Sequence, residues 1–152
     1  FTLDVQTRAY ARTTANLKKK KDQTYNSVLE SGNFYKLAIG SDGVYKIDKS
    51  FLVGSGADLS TLRMSKFKLY GNGGHMLPEV IAQQRYDDLQ ENAIYAVDNN
   101  GNDIMDDDDY FLWYGTGPTK FNYVKSTQSY DAIGHDFDIG AYYFITWDSP
   151  TT

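Results

Sequence analysis

The stretch VDNNGNDIMDDDDYFLWY concentrates side-chain oxygens more densely than any other part of the chain. Counted from Asp98 as the first place of a twelve-residue calcium loop, Asp98, Asn100 and Asn102 fall at places one, three and five, Asp106 at nine and Asp109 at twelve. A tight loop turns alternate side chains inward, so oxygens at that spacing can converge on one hard divalent cation. Two features depart from the pattern. Asp103 stands where the sharp turn takes Gly, and Asp109 is shorter than the usual bidentate Glu. The flanks IYAV and YFLWY read as strands, which does not suit a paired-helix calcium hand. Two readings stand together: a β-hairpin loop stapled by a structural calcium, the one cofactor the chain suggests, or a solvated Asn/Gly turn.

Catalysis by these carboxylates has less in its favour. Neighbours such as Asp107 and Asp108, or Asp87 and Asp88, point to opposite faces of an extended segment and cannot flank one bond as acid and base. The chain has no Cys, which removes a thiolate nucleophile, a thiolate zinc site and any disulfide. Its two histidines stand in no recognisable motif. His75 follows Gly73 and Gly74 and is expected to fill a turn, while His135, in GHDFD, is expected to bond Asp136 or Asp138 locally. With no nucleophile–base pair legible, the chain by itself is expected not to be an enzyme.

The elements that would position these residues read as strands. Thirteen Tyr, eight Phe and thirteen Gly in 152 residues give aromatic runs broken by Gly, Asn and Asp turns. The opening FTLDVQTRAYAR alternates, with Phe1, Leu3, Val5, Thr7 and Ala9 on one face and Asp4, Gln6 and Arg8 on the other, as a half-buried strand does. Lysines 18–21 then form a solvated loop or a docking patch for an acidic partner. In NFYKLAIGSDGVYKID, two β runs are expected to form a hairpin through Gly40, Ser41, Asp42 and Gly43. Asp48 can cap a short helix through Phe51, Leu52 and Val53, ended by Gly54 and Gly56. Further strands are expected at KFKLY, AIYAV, YFLWY, FNYV and AYYFITW. The unbroken run Tyr110 to Tyr114 suits a strand covered on both faces, either a fully buried central strand or one whose cover comes from the partner sheet and a neighbouring domain, or from a ligand. The fold class is therefore all-β, an antiparallel β-sandwich with one short helix near residues 48–53, in a single domain over residues 1–152. A net charge of −5 argues against nucleic acid and anionic lipid as partners. No run is long enough to cross a membrane as a helix. A first residue of Phe with no leader suggests a processed or excised product.

Several ordered motifs go further: SGNFYKLAIGSDGVYKIDKSFL, LYGNGGHMLPE, YDDLQENAIYAV and DDDDYFLWYGTGP. Across residues 31–118, with a closing strand at AYYFITW, the chain resembles the region ahead of the peptidase domain in the PorU-type sortases of the type IX secretion system of Bacteroidota, gingipain-type cysteine peptidases. The resemblance implies a non-catalytic accessory β-sandwich akin to gingipain prodomains. The peptidase Cys and His would lie in a caspase-like domain beyond this chain, and the parent would remove C-terminal sorting signals from secreted cargo and attach the cargo to the cell surface. It also implies export to the cell surface or outer membrane, with the downstream catalytic domain and other type IX secretion or outer-membrane proteins as partners.

The motif residues it marks are Gly71, Gly73, Gly74, Pro78, Asp88, Asn92, Gly115, Gly117 and Pro118, all with structural roles. Departures from the pattern are His75 at the last place of the glycine-rich turn, Tyr86 where the family has Pro, and a turn from Asp103 to Asp106 without its Gly. A second function class is a calcium-dependent adhesion module recognising glycan or another surface protein through exposed Tyr and Trp. A third, a free-standing hydrolase, has only scattered carboxylates in its support.

Overall fold

A computed structural model describes residues 27–148 apart from residue 81. The strand expected in the opening FTLDVQTRAYAR and the lysine run lie outside the described residues. The order is β1 (Tyr35–Ile39), β2 (Gly43–Asp48), α1 (Lys49–Gly54), β3 (Lys68–Tyr70), β4 (Glu91–Asn92), β5 (Tyr95–Val97), β6 (Tyr110–Gly115), β7 (Lys120–Val124), β8 (Ser129–Ile133) and β9 (Ala141–Thr146), with single 3-10 turns at Val28–Glu30 and Met64–Lys66. Every pairing is antiparallel. One sheet runs β1-β9-β3-β4, a second β2-β6-β5, and β7 and β8 form a two-stranded ribbon.

The two larger sheets share one core, because alternate residues of each turn inward. Ile39, Leu69, Tyr143 and Ile145 come from the first sheet and Ile47, Phe111 and Trp113 from the second. Phe67, just ahead of β3, stacks on Phe111 with centroids 4.0 Å apart, and Trp113 meets Tyr143 at 4.5 Å. Each fully buried side chain of this size stabilises the fold by roughly 1.5–3 kcal/mol against leaving it in water. The all-β sandwich with one short helix is the architecture observed.

The helix follows the sequence closely. Asp48 Oδ1 accepts from the backbone N–H of Phe51 at 3.0 Å and from the Ser50 hydroxyl at 2.7 Å, holding the free first turn. Leu52 is its one buried side chain, and the chain leaves through Gly56 at φ +82°. None of the described helices is long and apolar enough to cross a membrane.

Two expectations need correction. The segments on either side of Gly40 to Gly43 are not a hairpin: β1 pairs with β9 and β2 with β6, so the chain changes sheets there. The corner is fixed from outside the local sequence, by a 2.7 Å bond from the Gly117 N–H to Asp42 Oδ1. Strand β6 is likewise covered on one face only. Phe111 and Trp113 are buried, whereas Leu112 is half-buried and Tyr114 is 61% exposed.

Candidate functional site

Three groupings in the fold could do something beyond packing. The acidic stretch connects β5 to β6, so its ends are fixed by adjacent antiparallel strands. Asp98 accepts from the N–H of Gly101 at 2.7 Å and of Asp103 at 2.8 Å. Asn100 Oδ1 accepts from the Asn102 N–H at 3.0 Å, and Asn102 Oδ1 from the Ile104 N–H at 2.7 Å. The amide groups of Asn100 and Asn102 both donate to Asp106 Oδ2, at 2.6 and 3.0 Å. Asp109 is fully buried and takes the N–H of Asn99 at 2.8 Å and of Asp106 at 2.9 Å. Those two backbone donors hold its carboxyl below the usual carboxylate range, against a burial effect of opposite sign.

The five residues at calcium-loop spacing therefore share one loop, and its own hydrogen bonds close it. Among the described residues, no group of three or more His, Cys, Asp and Glu side chains is arranged to hold a metal ion. Asp103, at the place where Gly was expected, takes the left-handed conformation itself, at φ +61°. Aspartate tolerates that region better than most residues with a Cβ. Its carboxylate reaches the N–H and hydroxyl of Ser65 at 2.7 and 2.9 Å, tying the loop to the turn before β3. The Ser65 N–H, followed by its hydroxyl, holds the Asp103 carboxyl below its ordinary range. Asp at this place does what Gly cannot, which the local pattern alone did not show.

The glycine-rich segments 71–74 and 115–118 come together in a corner of the sandwich. A Cβ on Gly71 would enter the Tyr143 ring, and one on Gly74 would strike Ala141 and the Gly117 backbone. A Cβ on Gly117 would sit 2.6 Å from the Ser41 Cα. Tyr143, which the sequence did not single out, closes the corner: its hydroxyl accepts from the Thr116 N–H at 2.8 Å and donates to the Thr116 carbonyl at 3.1 Å. Asn92 donates to the Gly71 carbonyl at 2.8 Å. Asp88 holds the N–H groups of Val28 and Leu89, at 2.5 and 2.8 Å. Pro118 is buried in this corner, and Pro78 accepts from the Arg85 guanidinium through its carbonyl. These contacts assign packing and backbone-holding roles to the motif residues.

The two histidines line one shallow cavity of about 340 Å³ beside this corner, with Lys36, Asp138 and Tyr142. His135 Nδ1 accepts from the N–H of Phe137 and Asp138, at 3.2 and 3.1 Å. The local bond is thus to backbone and not to the Asp136 or Asp138 carboxylates. Asp138 instead accepts from the Tyr142 hydroxyl at 3.2 Å and from the N–H groups of Ile139 and Gly140.

The third grouping is the outer face of the second sheet. Register places Val44, Tyr114, Leu112 and Tyr95 on that face, with Val44 70%, Tyr95 68% and Tyr114 61% exposed. They surround a shallow hollow that Ala93, Ile94 and the edge of Trp113 complete. The Trp113 Nε1 is buried with no hydrogen-bond partner among the described residues. Lys46 shares the face, opposite Leu112, with its ammonium over the Tyr110 ring, so the apolar patch is bordered by a charge.

Comparison with known proteins agrees on the fold. No protein-family model and no curated protein matches the chain. The structure is similar to part of dimeric latent PorU from Porphyromonas gingivalis, with a TM-score of 0.58 and 23% sequence identity, over 79% of this chain and 10% of that one. At that identity the shared property is the fold, and the chain spans about a tenth of the length of that protein.

Proposed function

We propose that this chain is a non-catalytic accessory β-sandwich of an exported, sortase-like cysteine peptidase of the type IX secretion system, and that it positions or masks the peptidase part by docking against it. The observation that carries this reading is the uncovered aromatic face of β2-β6-β5 in a fold similar to one small piece of PorU. A central strand apolar on both sides but covered on one suits a domain built to be seated on a neighbour. A cysteine peptidase would carry its thiolate outside this chain, which has no Cys, and the Asp98 and Asp109 carboxylates here hold backbone N–H groups.

The test mixes the purified chain with the separately produced peptidase part of its parent and measures association by calorimetry. Binding is expected, together with its loss in a Val44→Asp, Tyr114→Asp variant that leaves the core untouched. Absence of association, or cleavage of peptides by the chain unaided, would reject the proposal. The same exposed rings support a second reading, an adhesion surface stacking on sugar rings. Glycan binding that the double variant abolishes, without any association with the peptidase part, would decide for it.

A further inference from the structure

Both histidines of the chain border one hollow, although they stand far apart in sequence. The hollow opens on the outer face of the first sheet, where the register sets Lys36 beside Tyr142 and Phe144. Three separate pieces of chain supply its charged and titratable wall: β1 gives Lys36, the glycine turn gives His75, and the connector from β8 to β9 gives His135 and Asp138. The Lys36 ammonium lies 3.6 Å from the centroid of the Tyr142 ring. Among the described residues no carboxylate stands within ion-pair distance of it. His135 Nδ1 is taken by the N–H groups of Phe137 and Asp138, so the neutral ring carries its proton on Nε2 and has a donor to spare. Asp138 Oδ1 accepts from the Tyr142 hydroxyl and from the N–H groups of Ile139 and Gly140, which fixes the ring on which Lys36 rests. Residues 27–152 hold nine Lys and Arg against eighteen Asp and Glu, a net −9 (9 − 18). In so acidic a body, an ammonium with no carboxylate beside it leaves a place for an anion from outside.

We propose that this hollow binds a phosphate group, with Lys36, His135 and His75 as its donors. The type and placing of the donors favour phosphate over a carboxylate. A planar carboxylate is matched best by the two parallel N–H groups of an Arg fork, and no Arg lines the hollow among the described residues. A lysine is a point charge, and single donors arriving from three sides suit an anion whose oxygens spread in three dimensions. At about 340 Å³ the hollow has room for a phosphate together with the first carbons of an ester. Asp138 is the one carboxylate in the wall among the described residues, and it gives the site a test of sign. Its charge works against a bound anion, while its hydrogen bond to Tyr142 supports the ring beneath Lys36. This inference is independent of the docking face on the second sheet.

The test titrates the full chain, labelled with nitrogen-15, with inorganic phosphate at constant ionic strength and pH 7. Saturable shifts are expected in the amides of residues 73–75 and 135–138. Lys36 is exposed, so Lys36→Met leaves the core untouched, and it should weaken binding about tenfold or more, the worth of one charge-assisted bond. His135→Asn keeps an oxygen where Nδ1 accepts and removes the Nε2 donor, and it should weaken binding with the connector intact. Asp138→Asn keeps the acceptor for Tyr142 and removes the opposing charge, and it should tighten binding about twofold or more. Acetate should bind at least about tenfold more weakly than phosphate. Tighter binding of glycerol 3-phosphate than of inorganic phosphate would assign an esterified ligand to the hollow, and the reverse order the free ion; either supports the proposal. The proposal is overturned by the absence of saturable shifts at these amides, or by acetate binding as tightly as phosphate. It is overturned equally by an affinity unchanged in Lys36→Met or His135→Asn, or by one that does not rise in Asp138→Asn.

Discussion

The glycine corner and the acidic loop fasten the same sandwich by opposite means. In the corner, residues 71–74 and 115–118 lie against each other because side chains are missing, and Tyr143 fills the space they leave. In the loop, side chains are abundant, and Asp98, Asn100, Asn102 and Asp109 bend back to hold backbone N–H groups of the turn. Shape holds the first and charge the second. A fastening by shape should fail abruptly when a carbon is added and be indifferent to pH, whereas one made of carboxylates should weaken gradually as protons are added.

The most damaging change should be Gly117→Ala. The added carbon would meet main-chain atoms of Ser41 at 2.6 to 2.9 Å, and backbone cannot turn aside as a side-chain tip can. A loss of about 3 kcal/mol or more in urea denaturation is expected, equal at pH 3.5 and pH 7. A loss under 1 kcal/mol would show that the corner yields and that its glycines are incidental.

On the loop side the largest effect belongs to Asp109. Replacing it by Ala strands the N–H groups of Asn99 and Asp106 in a buried setting, a cost of about 3 kcal/mol for charge-assisted bonds. The pH series separates the two fastenings. Asp109, Asp103 and Asp48 all have carboxyls held below their ordinary range by hydrogen-bond donors in the folded chain. The unfolded chain then binds more protons as pH falls, so the contribution is complete above the unfolded value of about 3.9 and is lost as pH drops through the lower folded values. Stability should fall steeply below about pH 4, and Asp109→Asn should flatten that slope. A Gly117→Ala variant with the wild-type slope, displaced by a constant amount, would support the division. Tyr143→Phe should cost less, about 1–2 kcal/mol, by leaving the N–H and carbonyl of Thr116 unpaired, again with no pH dependence in the acid range.

How legible each part was in the sequence follows from the range of the forces involved. The helix was readable because its cap lies within three residues of the N–H it serves. Strands β6 and β9 were readable from their aromatic runs. The change of sheet at residues 40–43 was not, because its determinant sits 75 residues away at Gly117. Strand β4 has only two residues, and β8, SYDAI, has no residue inside the core to give it an apolar rhythm. In the loop, the alternate oxygens lie in one turn, but nothing local tells that Asp103 reaches Ser65, 38 residues back. Tyr143 was hidden among the aromatic residues of its strand, since only the fold brings Thr116 to its hydroxyl.

The smallest effects should come from Asp103, and they bear on whether the loop needs anything beyond itself. Asp103→Gly relieves a left-handed backbone at φ +61° but gives up the bonds to Ser65, so its two consequences oppose each other. Asp103→Ala gives up the same bonds and keeps the strain, and should therefore melt a few degrees below the Gly variant. The reverse order would mean that the turn relaxes to an ordinary conformation once the carboxylate is gone. The Asp98, Asn100, Asn102, Asp106 and Asp109 oxygens are engaged by donors inside the loop. A chelator is therefore expected to leave the melting point of the native chain unchanged. A ligand that binds only the folded state would instead raise it with concentration. A rise with millimolar calcium that vanishes in an Asp98→Ala, Asp106→Ala variant would assign the ion to this loop, and the Asn100 and Asn102 amides would then have to release Asp106 to admit it.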